Sequence, residues 1–243
     1  MNLLLFDPGE WENPLPLNDS RSIHIMSILK TSPGERLAAG VVGGLKGTIL
    51  FQGKDQNGLK FTEPCFTEPS PPPLELTFLI GTPRPPTAQR LLRDLTTLGA
   101  QRLVFTATHL GEKSYLTSKL WREDWRKALL EGAMQAKATY LPQIERYMSL
   151  KQALESLRTA SGLKLAFDGS GDSLSATYPS TPLFLALGPE RGWTDQECQL
   201  FLDSGWQILN LGKRVLRTET ACTAAAVAIL TRQTSVHLAE KPS

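Results

Sequence analysis

Two glycine-ended segments hold the residues of this chain best suited to chemistry: Leu185-Ala186-Leu187-Gly188-Pro189-Glu190-Arg191-Gly192 and Leu209-Asn210-Leu211-Gly212-Lys213-Arg214-Val215-Leu216-Arg217-Thr218-Glu219-Thr220-Ala221. Each begins as an apolar run ending in Gly, the pattern of a buried strand that delivers a tight turn, and each leads into a helix start. Glycine lets backbone N–H and C=O groups come close to a ligand, so the two turns read as walls of one pocket. In open α/β sheets that pocket lies at the carboxyl ends of parallel strands. Arg217 stands just past the second turn, where a side chain can point into the pocket. Glu219 can orient Arg217 or accept a proton, and it can equally be the acid of a helix first turn with Thr218 as N-cap. Glu190 lies beside the pocket and can equally be a dipole partner for the following helix. Arg214 can meet a phosphate or remain a solvated loop charge. A third segment, Phe167-Asp168-Gly169-Ser170-Gly171, could form another wall, but Asp-Gly is a common turn and an ordinary turn is the plainer reading.

Elements able to position these turns are legible around them. After residue 73, apolar runs at 74–80, 102–107, 163–167, 183–187 and 206–211 alternate with helical patterns at 87–98, 121–138, 149–159 and 220–231. The first helix is expected to be capped by Thr87 and stopped at Gly99, the third to start at a Ser149 N-cap. Thr194-Asp195-Gln196-Glu197 is a capping-box sequence. Strand–helix alternation predicts a mostly parallel sheet, hence an α/β fold. Before it, Pro69, Pro71, Pro72 and Pro73 close a stiff linker that begins at Pro64. Residues 36–42, 47–52 and 59–62 read as strands, Asn57-Gly58 marks a hairpin, and a short helix is expected at 22–29. Residues 1–70 are therefore expected to form a small β-barrel-like domain and residues 71–243 the α/β domain, with Glu240–Ser243 a loose tail.

Composition excludes several classes. Hydrophobic (41%) and charged (21%) fractions are those of an ordinary soluble chain, and the formal charge of +2 argues for no particular partner. Residues 1–73 hold 6 Lys+Arg against 8 Asp+Glu, net −2, leaving 20 against 16, net +4, for the remainder. The apolar run Leu3–Phe6 is four residues long before an acid, too short for a signal peptide or a membrane span. Three cysteines without a CxxC (Cys65, Cys198, Cys222) form neither a disulfide framework nor a zinc site, and three scattered histidines suggest no metal. A cytoplasmic, metal-free protein without membrane contact is expected.

Gly188-Pro189-Glu190-x-Gly192 followed by Leu211-Gly212-x-Arg214-Val215-Leu216-Arg217-Thr218-Glu219-Thr220-Ala221 resembles the bacterial small-subunit (16S) ribosomal RNA uridine-N3 methyltransferases of the SPOUT superfamily. The resemblance extends in diluted form along the chain, through His24, Leu29-Lys30, Pro33-Gly34-Glu35 and Leu98-Gly99. It implies an N-terminal PUA-like barrel, a C-terminal α/β methyltransferase domain tied in a trefoil knot, S-adenosylmethionine as methyl donor and a homodimer acting on ribosomal RNA of the small subunit. On that basis Leu187, Gly188, Glu190, Gly192, Leu211, Gly212, Val215, Leu216 and Thr218 are expected to hold the donor. Arg217 and Glu219 are expected at the chemistry, and Arg21, Lys30, Arg84 and Arg214 at the RNA. Arg191 departs from the family's pair of glycines, and Thr97, Met134–Ala138 and Lys30 depart in the regions facing RNA. A different RNA position, or an RNA-binding assembly factor without turnover, are the alternative readings.

Overall fold

Apolar runs without alternation become central strands here because both faces of a parallel sheet are covered by other elements. The computed structural model describes residues 3–234. They divide into two compact units, Met1–Pro72 with Leu129–Leu141, and Pro73–Ala128 with Pro142–Ser243. Residues 129–141 thus join the N-terminal unit, although sequence alone places them in the domain 71–243. The expected tail Glu240–Ser243 and His237 lie outside the described residues.

In the first unit, β1 (Leu4–Phe6), β2 (Arg36–Val41), β3 (Lys46–Lys54) and β4 (Leu59–Glu68) form one four-stranded sheet in that order. The β1–β2 pair is parallel and the others antiparallel. The Asn57-Gly58 turn joins β3 to β4, with the Asp55 carboxylate accepting both backbone N–H groups. Phe6, Ile25, Ile49, Phe51, Leu59 and Phe61 fill the core over this sheet. Strand β4 continues through Pro64, past the expected end at 62. It is an edge strand, where an absent N–H costs no ladder bond. Asp19 caps α1 (Ser20–His24), which passes into a π turn over Ile25–Leu29. Ala133 and Met134 pack against Leu3 and Leu5, which is what draws residues 129–141 into this unit.

The second unit is built on six strands in the order β11-β8-β10-β5-β6-β7, every neighbouring pair parallel. These are β5 (Leu74–Gly81), β6 (Ala100–Thr106), β7 (Gln143–Tyr147), β8 (Leu163–Asp172), β10 (Leu183–Leu187) and β11 (Gln207–Leu209). A short parallel pair, β9 (Tyr178–Pro179) with β12 (Gln233–Thr234), lies apart from that sheet. The helices are α2 (Pro85–Leu98), α3 (Trp125–Ala136, which crosses the division between units), α4 (Leu150–Ser156), α5 (Asp195–Asp203) and α6 (Thr218–Leu230). Strand order reverses beside β5, since β6 and β7 extend one way while β10, β8 and β11 extend the other. Leu187 of β10 is in register with Ile80 of β5 and Phe167 of β8, so β5 and β10 deliver their carboxyl ends at one level beside the middle of β8. On one face Leu79, Val104, Ala166 and Ala186 pack against Leu150, Leu154 and an edge-to-face row of Trp193, Phe201 and Trp206 (5.0 and 5.3 Å).

Local expectations hold where a cap decides them and shift where tertiary pairing does. The capping box at Thr194 and the Ser149 cap are formed, and Gly99 ends α2 at φ 90°. Thr87, however, is not a cap: α2 starts at Pro85 after Arg84, because proline is pre-set for the first helical position. The helix expected over 121–138 opens as a π turn, Leu120–Asp124, and α3 ends at Ala136. Strand β8 runs on through Asp168-Gly169-Ser170-Gly171 to Asp172, where a turn is the local preference, because it pairs with β11 across a register shift. Strand β7, Gln-Ile-Glu-Arg-Tyr, carries no apolar run and is legible only as an edge strand once β6 is in place. No helix among the described residues is long and apolar enough to cross a membrane.

Candidate active site

The turn after β10, the end of β8 and the segment after β11 enclose a cavity of about 440 Å³ at the carboxyl edge of the sheet. Its floor is apolar, with Phe167, Leu187, Leu211 and Leu216, and much of its wall is backbone of Gly188, Gly192 and Gly212. Gly188 is required by packing: a Cβ there would lie 2.9 Å from Gly192 Cα and 3.0 Å from Gly192 C. Gly212 is required by conformation, at φ 103°. Asn210 fastens the walls, its Nδ2 donating to Gly171 O (2.6 Å) and its Oδ1 accepting the Gly212 N–H (3.0 Å). Thr218, the first residue of α6, donates from Oγ1 to Gly188 O (3.3 Å) and ties the two glycine turns together.

A second cavity, about 370 Å³, adjoins the first and shares Glu190, Val215, Leu216 and Thr218 with it. Its character differs, with Arg84, Arg90 and Arg217 facing Glu190 and Glu219. Arg84 donates from its backbone N and Nε to Glu190 Oε1 (3.2 and 3.3 Å). Arg90 donates from Nε (3.1 Å) and Nη2 (2.9 Å) to Glu219 Oε1, and from Nη2 to Thr87 Oγ1 (3.1 Å). Arg217 is exposed and its side chain makes no hydrogen bond or ion pair among the described residues, so its guanidinium donors are open to the cavity. Burial pushes the Glu219 carboxyl up, but its own backbone N–H, the Arg90 hydrogen bond and the charges of Arg90 and Arg217 outweigh it. The net result holds Glu219 below 4.5.

The structure brings Leu187, Gly188, Glu190, Gly192, Leu211, Gly212, Val215, Leu216 and Thr218 together around the first cavity, with Arg191 and Arg214 on its wall. Arg217, Glu219 and Arg84 line the second. Thr218 is not the N-cap of α6: Arg217 holds that position through its backbone. Lys30 is exposed at the end of the π turn. Arg21, expected to face RNA, is instead 8% exposed, with its donors taken by Leu5 O and the carboxylates of Glu10 and Asp19. The resemblance places it at the RNA; its partners Glu10 and Leu5 come from another part of the chain. The β8 residues Phe167, Asp168 and Gly169 do form a third wall, against the plainer turn reading. The pairing of Arg90 with Glu219 has no local signal, because the two residues are 129 apart in the chain. Among the described residues no group of three or more His, Cys, Asp or Glu could hold a metal ion.

A mostly apolar pocket of glycine turns at the carboxyl edge of a parallel sheet, joined to a cationic one, defines a class of α/β enzyme that binds a small cofactor beside an anionic partner. The family model of the RNA methyltransferase domain matches residues 70–230. Ribosomal RNA small subunit methyltransferase E of Treponema pallidum is 35% identical over 243 residues, covering 95% of this chain and 91% of that protein. Ribosomal RNA small subunit methyltransferase E 1 of Borreliella burgdorferi is 33% identical over 230 residues, covering 93% and 96%. Among solved structures, a putative methyltransferase from Legionella pneumophila with bound SAM superposes with TM-score 0.75 at 21% identity, covering 97% and 99% of the chains. Ribosomal RNA small subunit methyltransferase E from Neisseria gonorrhoeae, bound to S-adenosyl methionine, gives 0.73 at 22% identity, covering 96% and 98%. The chain belongs to the ribosomal RNA small subunit methyltransferase E family of RNA methyltransferases.

Proposed function

We propose that this protein transfers the methyl group of S-adenosylmethionine to N3 of a uridine in 16S ribosomal RNA of the small subunit. One observation carries the reading: the glycine-walled apolar cavity and the guanidinium-lined cavity share Glu190, Val215, Leu216 and Thr218. A donor in the first and a nucleobase in the second would meet across that shared wall. The relatives' names supply the RNA, and the site supplies the chemistry. The first cavity fits the donor, having the volume of a cofactor site, apolar side chains for an adenine and glycine backbone able to approach its edge. Leu187, Gly188, Gly192, Leu211, Gly212, Val215, Leu216 and Thr218 would hold it, with Glu190 at the boundary. When bound, S-adenosylmethionine supplies an electrophilic methyl on a cationic sulfur.

Methylating N3 removes a weakly acidic imide proton and spreads negative charge over two carbonyl oxygens. Arg217, whose guanidinium donors are open to the cavity, stabilises that charge as it develops. Glu219 accepts two hydrogen bonds from Arg90, and the charges of Arg90 and Arg217 lower its carboxyl from the ordinary value. Its part is to orient neighbouring guanidinium groups, and the proton leaves to solvent. Holding methyl and nitrogen in line supplies much of the remaining rate, up to ~7–11 kcal/mol. Lys30, Arg84 and Arg214 contact RNA phosphate in this reading; Arg21 does not.

The reading includes a PUA-like N-terminal domain, a trefoil-knotted α/β domain and a cytoplasmic homodimer. The exposed flank of α6, with Thr223 and Val227 among small residues, suits close approach of a second copy. Calorimetric titration with S-adenosylmethionine, followed by mapping of the methylated nucleotide on subunits from a deletion strain, tests the whole. Arg217→Ala should retain donor affinity and lose methyl transfer; wild-type turnover in that variant would sink the assignment.

A further inference from the structure

The second cavity contains one group that the reading above leaves without a task. Arg90, on the second turn of α2, is fixed by three hydrogen bonds, two to Glu219 Oε1 and one to Thr87 Oγ1. All three use Nε and Nη2. A guanidinium is a rigid planar fork of five donors, so a carboxylate holding one edge fixes the plane and leaves the other edge available. No hydrogen bond among the described residues uses Arg90 Nη1, and the side chain lines the cavity that Arg217 enters. The pairing with Glu219 is also a cross-brace between α2 and α6, and Arg90 on the second turn of α2 and Arg217 at the N-cap of α6 line one space.

Resting on the uridine-N3 reading, we propose that Arg90 is a second catalytic guanidinium, taking one carbonyl oxygen of the uracil imide while Arg217 takes the other. The imide has two carbonyls flanking N3, and both gain negative charge when the N3–H bond breaks. In the step, the proton leaves N3 for solvent, the nitrogen lone pair forms the N–CH3 bond, and the S–CH3 electron pair stays on sulfur as the neutral thioether. Two donors, one from each helix, match the two oxygens that carry the charge. A cytosine has an amino group in place of one carbonyl, and that N–H would face a guanidinium N–H. The pair therefore also selects an imide. Glu219 positions Arg90 and takes no part in the bond changes.

The test is the pH–rate profile of Arg90→Ala and Arg90→Lys on small ribosomal subunits, with donor affinity measured separately by calorimetry. Arg90→Ala should bind S-adenosylmethionine like the wild type and lose about 10²-fold in kcat near pH 7. A 10²-fold loss of imidate stabilisation moves the rising limb of the profile up by about two pH units, so the deficit should shrink toward alkaline pH. Hydroxide cannot repair a misplaced helix, so this recovery separates chemistry from structure. Arg90→Lys keeps the charge against Glu219 and should recover part of kcat. A deficit independent of pH, or a raised KM for subunits with kcat unchanged, would overturn the proposal and leave Arg90 a brace or a phosphate contact. A wild-type product that is not methylated at uridine N3 would instead overturn the reading on which it rests.

Discussion

One added methyl group at Gly188 should distort the glycine-walled cavity. A Cβ there sits 2.9 Å from Gly192 Cα, 3.0 Å from Gly192 C and 3.2 Å from Trp193 N. Carbon atoms pack best at about 3.5–4.0 Å, so the facing backbone must move by about 0.6 Å or more. All three obstructing atoms are backbone, and no rotamer change relieves them. Trp193 is anchored edge-on against Phe201 at 5.0 Å, which opposes retreat toward the core. The turn Pro189–Gly192 must therefore give way, and that turn is a wall of the 440 Å³ cavity. Overpacking of this kind costs about 1–3 kcal/mol. For a protein of this size each kcal/mol lowers Tm by about 2–4 °C. If half of a 3 kcal/mol strain is relieved only when the cavity is empty, donor affinity falls about tenfold. Thermal melts with and without S-adenosylmethionine, and calorimetric titration, read both effects. Gly169→Ala is the control, since it lines the same cavity with no atom within 4 Å of a new Cβ, and its Tm should not change. Gly188→Ala with wild-type Tm and affinity would refute the argument.

Two further outcomes concern stability. Arg21→Ala leaves Glu10 and Asp19 facing each other without their cation and should cost about 3 kcal/mol in a urea melt of the full chain; an unchanged midpoint would return Arg21 to the surface. Two hydrogen bonds from Arg102 lower the Glu145 carboxyl below 4.5, burial opposes them, and the Tyr147 hydroxyl adds to the lowering. A folded-state value below the unfolded one stabilises the fold above the unfolded value, and that contribution is lost as pH falls through the folded value. Glu145→Gln should accordingly flatten the loss of stability below about pH 4.5 without altering its shape near neutrality, and an unchanged acid limb would refute the pairing.

Much of the site's framework is decided by residues close together in the chain. The run Leu183–Leu187 followed by Gly188 is a buried strand and turn by composition alone, and Leu209 to Thr220 repeats the pattern. Thr194 with Glu197, Ser149, Gly99 and Asn57-Gly58 fix their caps and turns through hydrogen bonds or φ values that span a few residues. Such signals survive in any context that keeps the element exposed to the same neighbours. They fail where a long-range partner is stronger. Asp168-Gly169 makes its local turn, with Asp168 Oδ1 accepting the Ser170 N–H, yet pairing with β11 on both sides, at Ala166 and Asp172, holds the segment within β8 as the third wall. Arg21 looks like a surface cation, yet Glu10 and Asp19 draw it under the sheet edge. The pairing of Arg90 with Glu219 needs α2 and α6 side by side, which follows from β10 inserting between β5 and β8. Sequence thus determines which segments can turn, cap and bury, because those energies are local. Only the tertiary structure decides which charges meet, because sheet order brings together side chains that the chain holds more than a hundred residues apart.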